Sequence, residues 1–250
     1  MSYFSKRKLL RITTAILMGV LVVSLTDCDD GDDSRPVAVA TTQPGSASVH
    51  GVVKFKGPKP MAAVIGSGLG RNSPPVLDES VVVNENGTLR NVVVSIQKAP
   101  KLTASPATMP SLDQQNCRYT PHVIAVQTGQ AINVSNSDST LHNVHVQCSE
   151  NPPDNFSQTK AGESKPVTFN HPEIVQMKCD VHPWMCAYVA VFDHPFFAVT
   201  QADGSFSIPH LPPGSYSIVA WQERFGTIER TFTVTENQSA EVNFEYAPPQ

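Results

Sequence analysis

From about residue 47 onward, apolar residues either alternate with polar ones or run for a few positions between turn signals. No segment sustains the three-to-four spacing of an amphipathic helix. At the front, Val49–Phe55, Val81–Val83 and Leu89–Ile96 predict strands, with a turn at Asn86-Gly87. Residues 99–115 read as a Pro-rich connection. Strands are then expected at Val123–Gln127, Ala131–Ser135 and His142–Gln147, with a turn at Gly129. Residues 148–165 are polar and loop-like, and strands resume at Pro166–Phe169, Ile174–Lys178 and Ala187–Phe192. Closely spaced short strands make up the tail: Phe197–Thr200, Ser205–Ile208, Ser215–Trp221 and Glu229–Thr235, punctuated by Asp203-Gly204 and Pro212-Pro213-Gly214. The pattern predicts an all-β protein of sandwich type.

Composition agrees with that picture. The 21 prolines and 14 glycines suit many turns rather than long helices. A formal net charge of -4 gives no reason to expect a nucleic-acid partner. Before the first strand the pattern is of another kind. Lys6, Arg7, Lys8 and Arg11 precede an apolar stretch from Ala15 to Leu25, which reads as an export signal or membrane anchor spanning residues 1–28. Leu25-Thr26-Asp27-Cys28 resembles a bacterial lipoprotein box, except that Asp27 stands where a small residue is usual. A lipidated cysteine, an uncleaved anchor and a cleaved signal are three alternatives, and each places the remainder outside the cytoplasm, in the periplasm or at the cell surface. Residues 29–46, acidic and then rich in Pro, Thr and Ala, read as a flexible linker.

The chemistry concentrates in two segments, His142-Asn143-Val144-His145 and Cys179-Asp180-Val181-His182-Pro183-Trp184-Met185. A thiolate, an imidazole and a thioether on one short loop can converge on one ion, and a second imidazole from a neighbouring strand completes the set. Two imidazoles, one thiolate and a weak axial methionine suit both oxidation states of copper. Zinc is the nearest chemical rival, but it seldom uses methionine. His145, an odd number of positions from His142, falls on the other face of its strand. His50, His122, His171, His194 and His210 show no partners in the sequence. Of five cysteines, Cys28, Cys117, Cys148, Cys179 and Cys186, at least one must stay outside any intrachain pairing. Two among Cys117, Cys148 and Cys186 could form a disulfide in an oxidising compartment. Cys186 follows Met185 instead of lying between Cys179 and His182, which argues against a binuclear centre.

These segments resemble the two ligand segments of the cupredoxins, most closely of amicyanin, and the similarity runs from about Gln115 to Phe192. It implies a Greek-key β-sandwich holding copper with His142, Cys179 and His182 as equatorial ligands and Met185 as the axial one. It also implies that Asn143 ties the two segments together and that the edge of His182, beside Pro183 and Trp184, is the electron port. The tail, Thr200–Ile208 with Leu211-Pro212-Pro213-Gly214-Ser215-Tyr216, resembles a carboxypeptidase regulatory-like (transthyretin-like) β domain. Gly51–Gly57 with Asn91–Ile96 resembles its opening strands. The expected organisation is therefore one regulatory-like domain in two halves, 47–110 and 194–250, with a cupredoxin domain at 111–193 between them. Two separate domains are the rival arrangement. The expected function is one-electron transfer by an exported mononuclear type 1 copper protein that is not an enzyme. It would exchange electrons with a cytochrome or dehydrogenase and be tethered to the membrane by its N-terminal segment. The alternative is a periplasmic copper-binding protein for storage, delivery or sensing.

Overall fold

The structure, a computed structural model, describes residues 44–70, 73–100, 102 and 108–248. The expected export segment at 1–28, with Cys28, and nearly all of the expected linker at 29–46 lie outside the described residues. Within them there is no helix. Four strands open the described chain: β1 (Ala47–Phe55), β2 (Val64–Ser67), β3 (Pro75–Leu77) and β4 (Val93–Gln97). The middle holds β5 (Ser111–Gln114), β6 (Tyr119–Thr120), β7 (Val123–Gln127), β8 (Ala131–Asn136), β9 (His142–Gln147), β10 (Asp154–Gln158), β11 (Ser164–Thr168), β12 (Glu173–Lys178) and β13 (Cys186–Phe192). The tail adds β14 (Phe197–Val199), β15 (Ser205–Leu211), β16 (Gly214–Gln222), β17 (Gly226–Val234), β18 (Ser239–Glu241) and β19 (Phe244–Tyr246).

The strands of the middle segment form two sheets, ordered β10-β9-β12-β13-β7 and β11-β8-β5-β6. Most pairs are antiparallel, but β13 runs parallel to β7 and β5 parallel to β8. These parallel neighbours are the signature of a Greek-key sandwich rather than a meander. Between the sheets lie Leu112, Ile132, Val134, Val144, Val146, Val175, Met177 and Val189, all buried. Alternation along each strand explains this. In β8 the residues Ile132, Val134 and Asn136 point inward while Ala131, Asn133 and Ser135 point outward.

The remaining long strands build a second sandwich from both ends of the described chain. β1 pairs antiparallel with β15, in register Val49↔Ile208, and parallel with β18 and β19 through Ser48↔Ser239 and Val53↔Phe244. The facing sheet runs β14-β4-β16-β17. Its core includes Val49, Val53, Leu89, Val94, Ile96, Phe206, Ile208, Ile218 and Phe244.

Several elements differ from the sequence pattern. Val81–Val83 is no strand and contributes only a bridge from Val83 to Leu89. The strand expected from Leu89 begins at Val93, because Asn91 adopts a left-handed backbone with φ 60°. Ser111–Gln114 pairs as β5 within the expected connection, and β10 lies inside the polar stretch 148–165. The β2–β3 hairpin has no counterpart among the expected strands.

Candidate metal centre

His142 opens β9, where the inward face of the strand meets the end of the sandwich, and it is fully buried. Its Nε2–H donates to Asp138 Oδ2 at 2.9 Å, which leaves Nδ1 turned toward His182. The two Nδ1 atoms stand 3.0 Å apart. Two imidazole nitrogens aimed at each other at that distance need a proton or a cation between them. The sulfur of Cys179 completes a triangle, 3.9 Å from His142 Nδ1 and 3.7 Å from His182 Nδ1. Metal–nitrogen bonds of about 2.0–2.1 Å and metal–sulfur bonds of about 2.3 Å can close on such a triangle only if its N–N edge stays under ~4.2 Å and its N–S edges under ~4.4 Å. All three edges meet that condition. Met185 is buried in the same core cluster as Cys179, and its N–H donates to the His182 carbonyl at 2.9 Å, tightening the turn that carries both side chains. The four residues singled out in the sequence thus lie at one end of one sandwich. The residues present fit a thiophilic metal ion that also accepts imidazole, copper included.

The electrostatics follow the same layout. Burial opposes ionisation of Cys179, but the bond to His142 and the backbone N–H groups of Asn143, His182 and Val181 outweigh it and hold the thiol below its ordinary value. Burial also works against charge on His142, while Cys179 and Asp138 raise it. His182, desolvated and facing His142, is lowered.

Asn143 holds the two segments together. Asp180 N–H donates to Asn143 Oδ1 at 2.6 Å, and Asn143 Nδ2–H donates to Asp180 Oδ2 at 2.9 Å. Asp180, in place of a small hydroxyl residue, therefore adds a second strut. Its carboxylate also accepts from His145 and Asn155, which lowers its pKa to about 2. His145 lies partly exposed on this outer side, with its Nδ1 on Asp180 Oδ1.

Trp184 is gripped from two sides. Its Nε1–H donates to the Cys117 carbonyl at 2.9 Å, and the β2–β3 hairpin lies against the ring so closely that a Cβ on Gly66 would overlap the indole. His182 and Trp184 meet edge to face at 5.4 Å. His182 is half-buried between exposed Val181 and Pro183, and Leu141, next to His142 in the chain, is exposed as well.

Cysteine pairing does not occur among the described residues: Cys117, Cys148, Cys179 and Cys186 are all free. They serve separate places. Cys148 Sγ donates to the Asn151 carbonyl, and Cys186 on β13 receives Gln176 Nε2–H at 3.2 Å. Cys117 is the residue that the sequence left unassigned. It is buried beside the centre, and its thiol lies with one ring nitrogen each of His142 and His182 inside a sphere of mutual distances no greater than 4.8 Å. Asn116 and Cys117 both adopt left-handed backbone, φ 55° and 54°, which costs non-glycine residues ~1–3 kcal/mol each. The Asp138 carboxylate clasps them there, accepting from Asn116 N–H at 2.7 Å and Cys117 N–H at 2.9 Å. Two successive left-handed residues without glycine leave no mark in the sequence. Burial, then the charges of Asp138 and Cys179, push the Cys117 thiol up.

Away from the centre, His122 also departs from expectation. Its Nε2 contacts the Glu223 carboxylate, both side chains are almost fully buried, and the two residues belong to different sandwiches.

Comparison with known proteins gives two kinds of likeness. Residues 184–247 match the family model of the carboxypeptidase regulatory-like domain. No curated protein matches the chain. Among solved structures, the copper-containing nitrite reductase (NirK) from Thermus scotoductus SA-01 is 21% identical over 36% of this chain and 23% of its own, with a TM-score of 0.31. A point mutant of amicyanin in its oxidised form is 19% identical over 36% of this chain and 87% of its own, TM-score 0.31. A purple cupredoxin from Nitrosopumilus maritimus is 18% identical over 33% of this chain and 98% of its own, TM-score 0.29. This chain therefore spans less than a quarter of the nitrite reductase.

Proposed function

We propose that this chain is an exported mononuclear copper protein that carries single electrons, with His142, Cys179, His182 and Met185 holding the ion. The observation that supports the reading most is the facing pair of Nδ1 atoms at 3.0 Å with the Cys179 sulfur within 4 Å of both. Bound copper supplies the one-electron couple. The protein's own groups do the rest. Asp138 fixes the His142 tautomer so that Nδ1 carries the lone pair. Backbone N–H groups around Cys179 favour its thiolate. The Asn143–Asp180 struts hold the two ligand segments at a constant separation, so little has to move when charge changes. His182, flanked by exposed Val181 and Pro183, offers the edge at which a redox partner such as a cytochrome or dehydrogenase would dock. The reading needs no covalent product. Its setting is the periplasm or cell surface, with residues 1–28 as the export signal or membrane tether.

Loading the purified chain with Cu(II) tests this. Strong thiolate-to-copper absorption in the visible, with an EPR spectrum of one thiolate-bound copper, is the expected result. A colourless protein that retains only Cu(I) would point to metal storage or delivery instead, and a protein that retains no copper would remove the reading altogether.

A further inference from the structure

Beside the donor triangle stands a second one that shares both imidazoles. Its third corner is the thiol of Cys117, within 4.8 Å of a ring nitrogen of His142 and of His182, so the sulfur has to close by up to ~0.4 Å to reach the edge that bonds of about 2.1 and 2.3 Å can span. Nothing about this placement is incidental to the fold. One carboxylate, Asp138, accepts the backbone N–H of Asn116 and of Cys117 and, through Oδ2, the Nε2–H of His142. The group that aims the first imidazole therefore also aims the loop bearing Cys117. On its other side the Cys117 carbonyl receives the Trp184 indole N–H, so the loop is tied to the segment carrying His182 and Met185. Cys117 is 2% exposed, as is Cys179. Its sulfur has no disulfide partner.

We propose that Cys117 is a ligand, so that the centre is bound by two thiolates and two imidazoles, with Met185 as a weaker neighbour. The proposal rests on the metal-binding reading above and changes its chemistry. A donor set of two thiolates and two imidazoles is tetrahedral in preference and suits closed-shell Cu(I) and Zn(II) as well as copper in its oxidised state. Binding by Cys117 releases one proton from its thiol to solvent and involves no change of oxidation state.

X-ray absorption on the full chain loaded with Cu(I) counts the sulfurs directly. Two short metal–sulfur distances of about 2.3 Å are expected, and Cys117→Ser should reduce them to one while the far-ultraviolet circular dichroism stays unchanged. Cobalt(II) provides a second measurement. The thiolate-to-cobalt absorption of the wild-type chain should fall about twofold in Cys117→Ser and stay constant in Cys148→Ser. One short sulfur in the wild-type chain, with cobalt absorption indifferent to Cys117→Ser, overturns the proposal and leaves the single-thiolate centre standing. Loss of every metal–sulfur contact in the wild-type chain overturns both.

Discussion

At the scale of single residues, the proposed site divides into candidate donor side chains and the groups that keep them in place. Cys179→Ser should remove the charge-transfer band of the Cys179 thiolate from the copper(II) form, leaving only the absorption that a Cys117 thiolate supplies. Met185→Leu should retain copper and raise the reduction potential, measured by redox titration, because an axial donor is lost. Asp138 is buried and holds three N–H groups at once. Asp138→Asn should weaken metal binding ~10–100-fold, read by chelator competition, since a group that orients a ligating histidine is removed. The Cys-x-x-His-x-x-Met run is legible because three donors share one seven-residue stretch, and no distant contact is needed to bring them near. Asp138 and Cys117 are not. Their hydrogen bond joins residues 21 positions apart through backbone that only the folded loop reveals.

Among the elements, the β2–β3 hairpin and the loop before β13 depend on one glycine. A methyl group at position 66 meets the indole of Trp184 at well under contact distance, and the ring has to move. Gly66→Ala should therefore cost ~1–3 kcal/mol in denaturant unfolding. In a Trp221→Phe background, where Trp184 is the remaining tryptophan, its fluorescence should shift to longer wavelength. The hairpin escapes the sequence pattern because its strands are short and show no strict alternation, with Val64, Ile65 and Leu77 all exposed. β5 and β10 escape for a related reason. Ser111–Gln114 and Asp154–Gln158 alternate inward and outward, but apart from Leu112 their buried positions are polar, Gln114 and Gln158, hydrogen-bonded to each other. A pattern that weighs only apolar residues passes over such strands. The strands of the core, β8, β9, β12 and β13, are legible because valine, isoleucine and methionine mark their inward face.

For the whole molecule, the contact between the sandwiches contains a buried ion pair. Burial opposes charge on His122, and the Glu223 hydrogen bond and carboxylate, with Glu79 and a backbone bond to Cys186, more than offset it, so the imidazole is held above its ordinary value. Cys186 and Tyr188, which also face the pair, are pushed up and stay neutral. A histidine whose folded value is raised stabilises fully below its unfolded value, ~6.5, and loses that contribution as pH rises through the folded value. The metal-free chain should accordingly melt at lower temperature as pH rises from 6 to 9, and Glu223→Gln should flatten the part of that slope due to His122. At pH 6 the same substitution removes the group that keeps the proton on the imidazole, so His122 becomes neutral and the loss of the charged pair should cost ~1–3 kcal/mol, a fall of roughly 2–12 °C in Tm for a chain of this size. This joint lies beyond sequence reasoning, for its two residues are 101 positions apart. The likeness of Thr200–Tyr216 to a regulatory-like domain, by contrast, is visible in its turn residues. Because β1 pairs in parallel with β18 and β19, the two ends of the described chain complete one sheet between them. Among the described strands β1 is made first, and it finds these neighbours only after Ser239–Tyr246 have been made, so the middle sandwich can mature while the outer one waits. Removing the final dozen residues, Ser239–Gln250, should leave β1 without one whole edge of neighbours, and proteolysis should then begin at the front of the chain, far from the cut, while the centre at His142 survives.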